Sequence, residues 1–300
     1  MTAHTEILLI AMAVSITCAV PGVFLVLRRM SMMADAITHT VFLGIVLAFF
    51  MTKDLNSPFL LVGGATLVGV GTVWLIEMIH NTHLVNEDAS IGIIFPPLLF
   101  SGAIILVSLY SGNAHLDVDT ALLGGEIAFA PFDRFIVNGT DLGPVSLWIS
   151  LSVATINLLL VILFYKELKI STFDSLLAGL FGFTPILIHY VLMTMVSLTV
   201  VASFQAVGAI LVIGLMIGPA VIAYLWTDSV KAMLIGSILI GIACAVIGTE
   251  IAFTMDVSIA GSIATTIGMG LIIAVIATPK TGYIATYRRN AICVATIGKR

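Results

Sequence analysis

Within "MSMMADAITHT", residues 30 to 40, Asp35 and His39 have the type and spacing to hold a cation. Positions i and i+4 of a helix share one face, so a carboxylate oxygen and an imidazole nitrogen would converge on a single ion. A hard oxygen beside a borderline nitrogen suits divalent manganese, iron or zinc, and no thiolate accompanies the pair to favour copper(I). Two ligands are few for tight binding. That suits a transient conduit, or two subunits supplying four ligands, because a pore must bind weakly enough to release. The alternative is structural, with Asp35 capping the start of a helix and His39 bonded to a neighbour in the core.

The other chemistry-bearing residues read as structural. His189 stands alone in an apolar stretch and reads as a core histidine. Glu250 and Asp256 flank an external turn. His80, His83, Glu87 and Asp88 read as a solvated cytoplasmic loop, and the methionines of "MSMM" as packing filler. Cys18, Cys244 and Cys293 lack the spacing of a disulfide framework or a thiolate metal site. No GxxxxGK[ST], nucleophile elbow or HExxH occurs. The chain is therefore not expected to be an enzyme, and it carries no ATP site of its own.

The elements that must position Asp35 and His39 are membrane helices. The composition is 60% hydrophobic and 9% charged, against an ordinary soluble fraction of about 25% charged. The sequence reads as an all-α polytopic membrane protein whose solvent is the lipid bilayer, and nothing in its charge balance points to nucleic acid. A helix needs about 20 apolar residues to cross hydrocarbon, which gives eight or nine transmembrane spans. The nine-span division is 7–27, 36–52, 58–76, 89–110, 142–165, 184–202, 205–226, 232–249 and 257–278. Between the sixth and seventh, only "ASFQA" signals a turn.

Basic residues flanking spans stay cytoplasmic. With the N-terminus outside and the C-terminus cytoplasmic, ten of the chain's twelve lysines and arginines fall inside, leaving Lys53 and Arg134 outside. Arg28 and Arg29 then pin the start of the second helix to the inner face. Residues 1–280 read as one transmembrane domain and 281–300 as a cytoplasmic tail. The longest external segment, 111–141, holds Asp117, Asp119, Glu126, Asp133 and Asp141 and reads as an acidic surface.

One cytoplasmic segment is more than a connector. "KELKISTFDSLLAGLFGFTP", 166–185, reads as a short helix along the inner face, about 171–182, started by Ser171 and Thr172 and broken by glycine and proline. Such a helix is what a membrane protein would offer to a soluble motor.

Four passages resemble the membrane permease subunits of bacterial manganese, zinc and iron ABC importers, in that family's order. They are "VLRRMSMMADAITHTVFLGIVLAFF", "NEDASIGIIFPPLLFSGAIIL", "STFDSLLAG" and "SFQAVGAILVIGLMIGPAVIAYL". The resemblance covers essentially the whole chain. It implies a fold similar to the vitamin B12 importer's permease, lacking its first helix, in a bacterial plasma (inner) membrane. It implies that Asp35 and His39 line the translocation path for Mn2+, or for Zn2+ or Fe2+, with no permanently bound cofactor. It implies that Ser171, Thr172, Phe173, Asp174, Ser175, Leu176, Ala178 and Gly179 form the coupling helix for a cytoplasmic ATP-binding subunit. It further implies an extracellular or periplasmic metal-binding protein and a second permease, an identical copy or a paralogue. "GGEIAFAPFDRFIVNGTDLGP", 124–144, is longer than in the shorter members, and "IGPA" stands where threonine often precedes the proline. Two other readings stay open: a secondary metal transporter driven by an ion gradient, and a membrane scaffold or sensor that transports nothing.

Overall fold

A computed structural model describes residues 3–52, 58–80, 82, 91, 95–110, 125–128, 130–132, 134–137 and 140–278. Its helices are α1 (Ala3–Leu27), α2 (Ser31–Thr52), α3 (Pro58–His80), α4 (Ser101–Tyr110), α5 (Val145–Leu163), α6 (Tyr165–Phe173), α7 (Ser175–Leu180), α8 (Pro185–Val207), α9 (Ala209–Trp226), α10 (Val230–Met255) and α11 (Ile259–Ala277). A π-helical stretch, Phe95–Phe100, leads into α4. The expectation of an all-α chain needs one addition, an antiparallel hairpin of β1 (Arg134–Val137) and β2 (Thr140–Pro144).

Among the described residues, six helices have the length and apolarity to cross a membrane: α1, α5, α8, α9, α10 and α11. The described residues do not confirm the expected eight or nine. The window 89–110 is apolar throughout, but its described part is π-helical before a ten-residue α4. The prolines at 96 and 97 supply no N–H to a regular ladder. Helix α3 is 23 residues long, and its described apolar stretch is Gly63–Ile79.

Helix α1 is apolar on every side and sits at the centre, packed against α10, α9, α5 and α8. Lipid offers no hydrophobic drive between helices, so close packing and interhelical hydrogen bonds hold such a bundle. Gly22 of α1 meets the Met216 carbonyl of α9 where any Cβ would clash. Buried Asn157 of α5 donates to Thr199 Oγ1 of α8 at 2.6 Å and to the Thr17 carbonyl of α1 at 3.4 Å. Ser262 of α11 donates to the Gly248 carbonyl of α10 at 2.7 Å. Outward, α5 presents Leu151, Leu159, Ile162 and Leu163, a surface matched to acyl chains.

The boundary between α8 and α9 differs from expectation. The helix runs through "ASFQA" to Val207 and breaks at Gly208, whose φ of 78° and ψ of 167° suit glycine alone. Ala206, Val207 and Ala209 are fully buried, so this reversal lies inside the bundle. Residues 125–128 pack against α8, α11 and α1, with Ile127 fully buried among the core.

Two ends can be distinguished. Leu27, Phe173, residues 224–230, Met233 and Thr278 line one recess, which gathers the ends of α1, α6, α9, α10 and α11. At the far end, Arg134 pairs with buried Glu6 at 3.2 Å and His4 with Glu250 at 3.4 Å. Asp256 there closes α10 in a left-handed conformation.

Candidate ion pathway and docking segment

Helix α2 buries Met33, Ala34, Ala36, Ile37, Thr38 and Thr40 against its neighbours. Thr38 and Thr40 return their hydroxyls to helix carbonyls, Asp35 O at 2.7 Å and Ala36 O at 3.0 Å, and so add no polarity to that face. The opposite stripe, Met32, Asp35, His39, Leu43 and Leu47, recurs at helical spacing and is only partly covered. His39 Nε2 lies 3.5 Å from Asp35 Oδ1, with the side chains 23% and 36% exposed. Asp35 is the fifth residue of α2, so it does not cap the helix.

Atoms 3.5 Å apart can both stand about 2.1 Å from one ion, subtending an angle of about 110°. The pair can therefore chelate without rearranging the backbone. Phe100 meets the His39 ring edge-on at 5.9 Å and bounds its rotation. Among the described residues no third histidine, cysteine or carboxylate completes a metal cluster.

His189 does not stand alone. Its Nε2 is 2.7 Å from Glu77 Oε1 of α3, and Tyr190 Oη donates to Glu77 Oε2 at 2.5 Å. Sequence reasoning did not single out Glu77; its one signal was a carboxylate at the end of an apolar run. His83, Glu87, Asp88 and the tail 281–300 lie outside the described residues, as does the side chain of His80.

The segment expected to dock on an ATP-binding subunit is two helices rather than one. Ser171, Thr172 and Phe173 end α6; Asp174 breaks the chain in extended conformation; Ser175, Leu176, Ala178 and Gly179 belong to α7. Asp174 Oδ1 accepts from Leu177 N at 2.9 Å, making it the N-cap of α7. Gly182, at φ 82°, turns the chain toward α8. Ala178 is fully buried, while Phe173, Leu176, Leu180 and Phe181 are 64–78% exposed, an apolar knob at the end of the bundle.

Arg28, in the turn between α1 and α2, donates from Nε to Thr172 Oγ1 and from Nη2 to Ser171 Oγ, both at 3.2 Å. Its partial burial lowers its pKa from the ordinary arginine value. Lys231 stands over the Tyr165 ring at 5.6 Å. Arg28, Arg29, Lys166, Lys169 and Lys231 gather at the end that carries α6; Arg134 is at the far end.

Residues 3–278 match the ABC 3 transport family. The chain belongs to the ABC 3 transport family. It is 43% identical over 277 residues to the manganese transport system membrane protein MntD of Bacillus subtilis, covering 92% of each chain. It is 47% identical over 281 residues to the zinc transport system membrane protein TroD of Treponema pallidum, covering 93% of this chain and 75% of that one. Its fold is similar to PsaBC from Streptococcus pneumoniae, solved in complex with Fab, with a TM-score of 0.79, 29% identity and 96% of both chains covered. The resemblance drawn from the four sequence passages is borne out, and this ABC 3 chain is a membrane permease subunit of an ABC importer.

Proposed function

We propose that this permease forms half of the path by which a divalent transition metal enters a bacterial cell, with manganese the first candidate cargo and zinc or iron the others. The observation that carries the reading is the half-covered stripe of α2, which offers the Asp35 carboxylate and the His39 imidazole 3.5 Å apart. An ion released at the far end exchanges part of its water for these two ligands. The same stripe of a second permease, identical or paralogous, supplies two more. The metal-binding protein docks at the far end, and a cytoplasmic ATP-binding subunit receives the apolar knob of Phe173, Leu176, Leu180 and Phe181.

The asymmetry of basic residues supports an external N-terminus and a cytoplasmic C-terminus. In that orientation α2, α3 and the segment around α4 complete the crossings of a single domain over 1–280. The manganese and zinc systems named among the relatives support the cargo class.

The test is cellular manganese and zinc content, by elemental mass spectrometry, in a strain that depends on this protein. Wild type is compared with Asp35→Ala and His39→Ala at matched membrane abundance. Losing a metal ligand costs no less than the roughly 10- to 100-fold typical of second-shell losses, so one metal falls in both variants. Unchanged content in both would sink the reading.

A further inference from the structure

We infer that Arg28 is a positioning residue that carries movement of the docking segment to the helix holding Asp35 and His39. This rests on the importer reading above and names a relay within it. Its guanidinium donates to Ser171 and Thr172, and its backbone lies in the short turn that leads into α2.

Three features make the link stiff. The turn from α1 to α2 is only residues 28–30, closed by Arg28 N to Phe24 O, Met30 N to Leu25 O and Met33 N to Met30 O, each at 3.0–3.1 Å. Arg29 within it adopts φ 61°, a left-handed conformation with little latitude for a side chain of its size. On the other side, Thr172 donates its own proton to the Leu168 carbonyl at 2.6 Å. That fixes the hydroxyl as an acceptor facing Arg28. Hydrogen bonds from a charged donor are stronger than neutral ones, and the planar fork sets direction as well as distance.

The position fits a relay. Ser171 and Thr172 immediately precede the Asp174 break, beyond which α7 carries the exposed apolar knob. Asp35 is four residues into α2, about 6 Å along the helix axis. A shift of α7 therefore reaches the ion pair through two hydroxyls, one guanidinium and one helical turn.

The experiment uses proteoliposomes holding the complete transporter, with ATPase and binding protein, and measures manganese uptake and ATP hydrolysis together. Arg28→Gln and the pair Ser171→Ala/Thr172→Ala should each lower ions moved per ATP by roughly five- to tenfold, the lower range of coupling between sites. Combining them should lower the ratio no further, because both remove one link. Ser171→Thr/Thr172→Ser keeps both acceptors and should restore the ratio. An unchanged ratio overturns the link, as do additive losses or uptake and hydrolysis falling in proportion. No manganese uptake by wild-type liposomes overturns the importer reading itself, and the relay with it.

Discussion

His189 Nε2 and Glu77 Oε1 face each other at 2.7 Å, joining the start of α8 to the last turn of α3. Tyr190 holds the second carboxylate oxygen. Glutamine there keeps one acceptor oxygen where Tyr190 and His189 now each face one, and it removes the charge that both face. Glu77→Gln is expected to cost about 2 kcal/mol, in the range of hydrogen bonds to charged groups. Thermal unfolding in detergent checks this. The cycle with His189→Gln should show coupling between the two, and simple additivity would speak against the pairing.

Asp174 caps α7, so Asp174→Ala should cost about 1 kcal/mol of local helix stability. In a helix of six residues that is enough to fray the docking knob. Hydrogen exchange over residues 175–181 should quicken, and less ATPase should co-purify. Asp174→Asn keeps an acceptor at the cap and should behave as wild type.

Gly208 occupies φ 78°, ψ 167° between fully buried neighbours. Alanine there meets a backbone region reserved for glycine, at about 1–3 kcal/mol. Gly208→Ala should therefore lower the melting temperature and the yield of monodisperse protein in size exclusion. Val207→Ala, beside it, removes volume without touching that conformation. The two variants separate backbone strain from packing loss.

What could be read in advance was local. Asp35 and His39 were legible because four residues of helix suffice to align them. The apolar runs fixed where helices lie, and the placement of arginine and lysine marked one end of the bundle. The misreadings came from tertiary causes. "ASFQA" looked like a turn because it alone interrupts a long apolar run with polar residues, yet the helix runs through it to the glycine beyond. His189 looked solitary because Glu77 is 112 positions away in the chain. Ser171 and Thr172 looked like a helix start, but their hydroxyls serve Arg28, and Asp174, two residues on, supplies the cap. The apolar window at 89–110 gave no hint of its π-helical stretch beyond two adjacent prolines.

The half-covered stripe of α2 has a bearing on the life of the chain before assembly. A subunit alone in the bilayer would turn Asp35, one helical turn in from the foot of α2, toward lipid, where an ionised carboxylate is costly. A partner that covers the stripe removes that cost. The residues that receive the ion would then also report whether the subunit is paired, and an orphan copy would be the one the cell's membrane proteases find first.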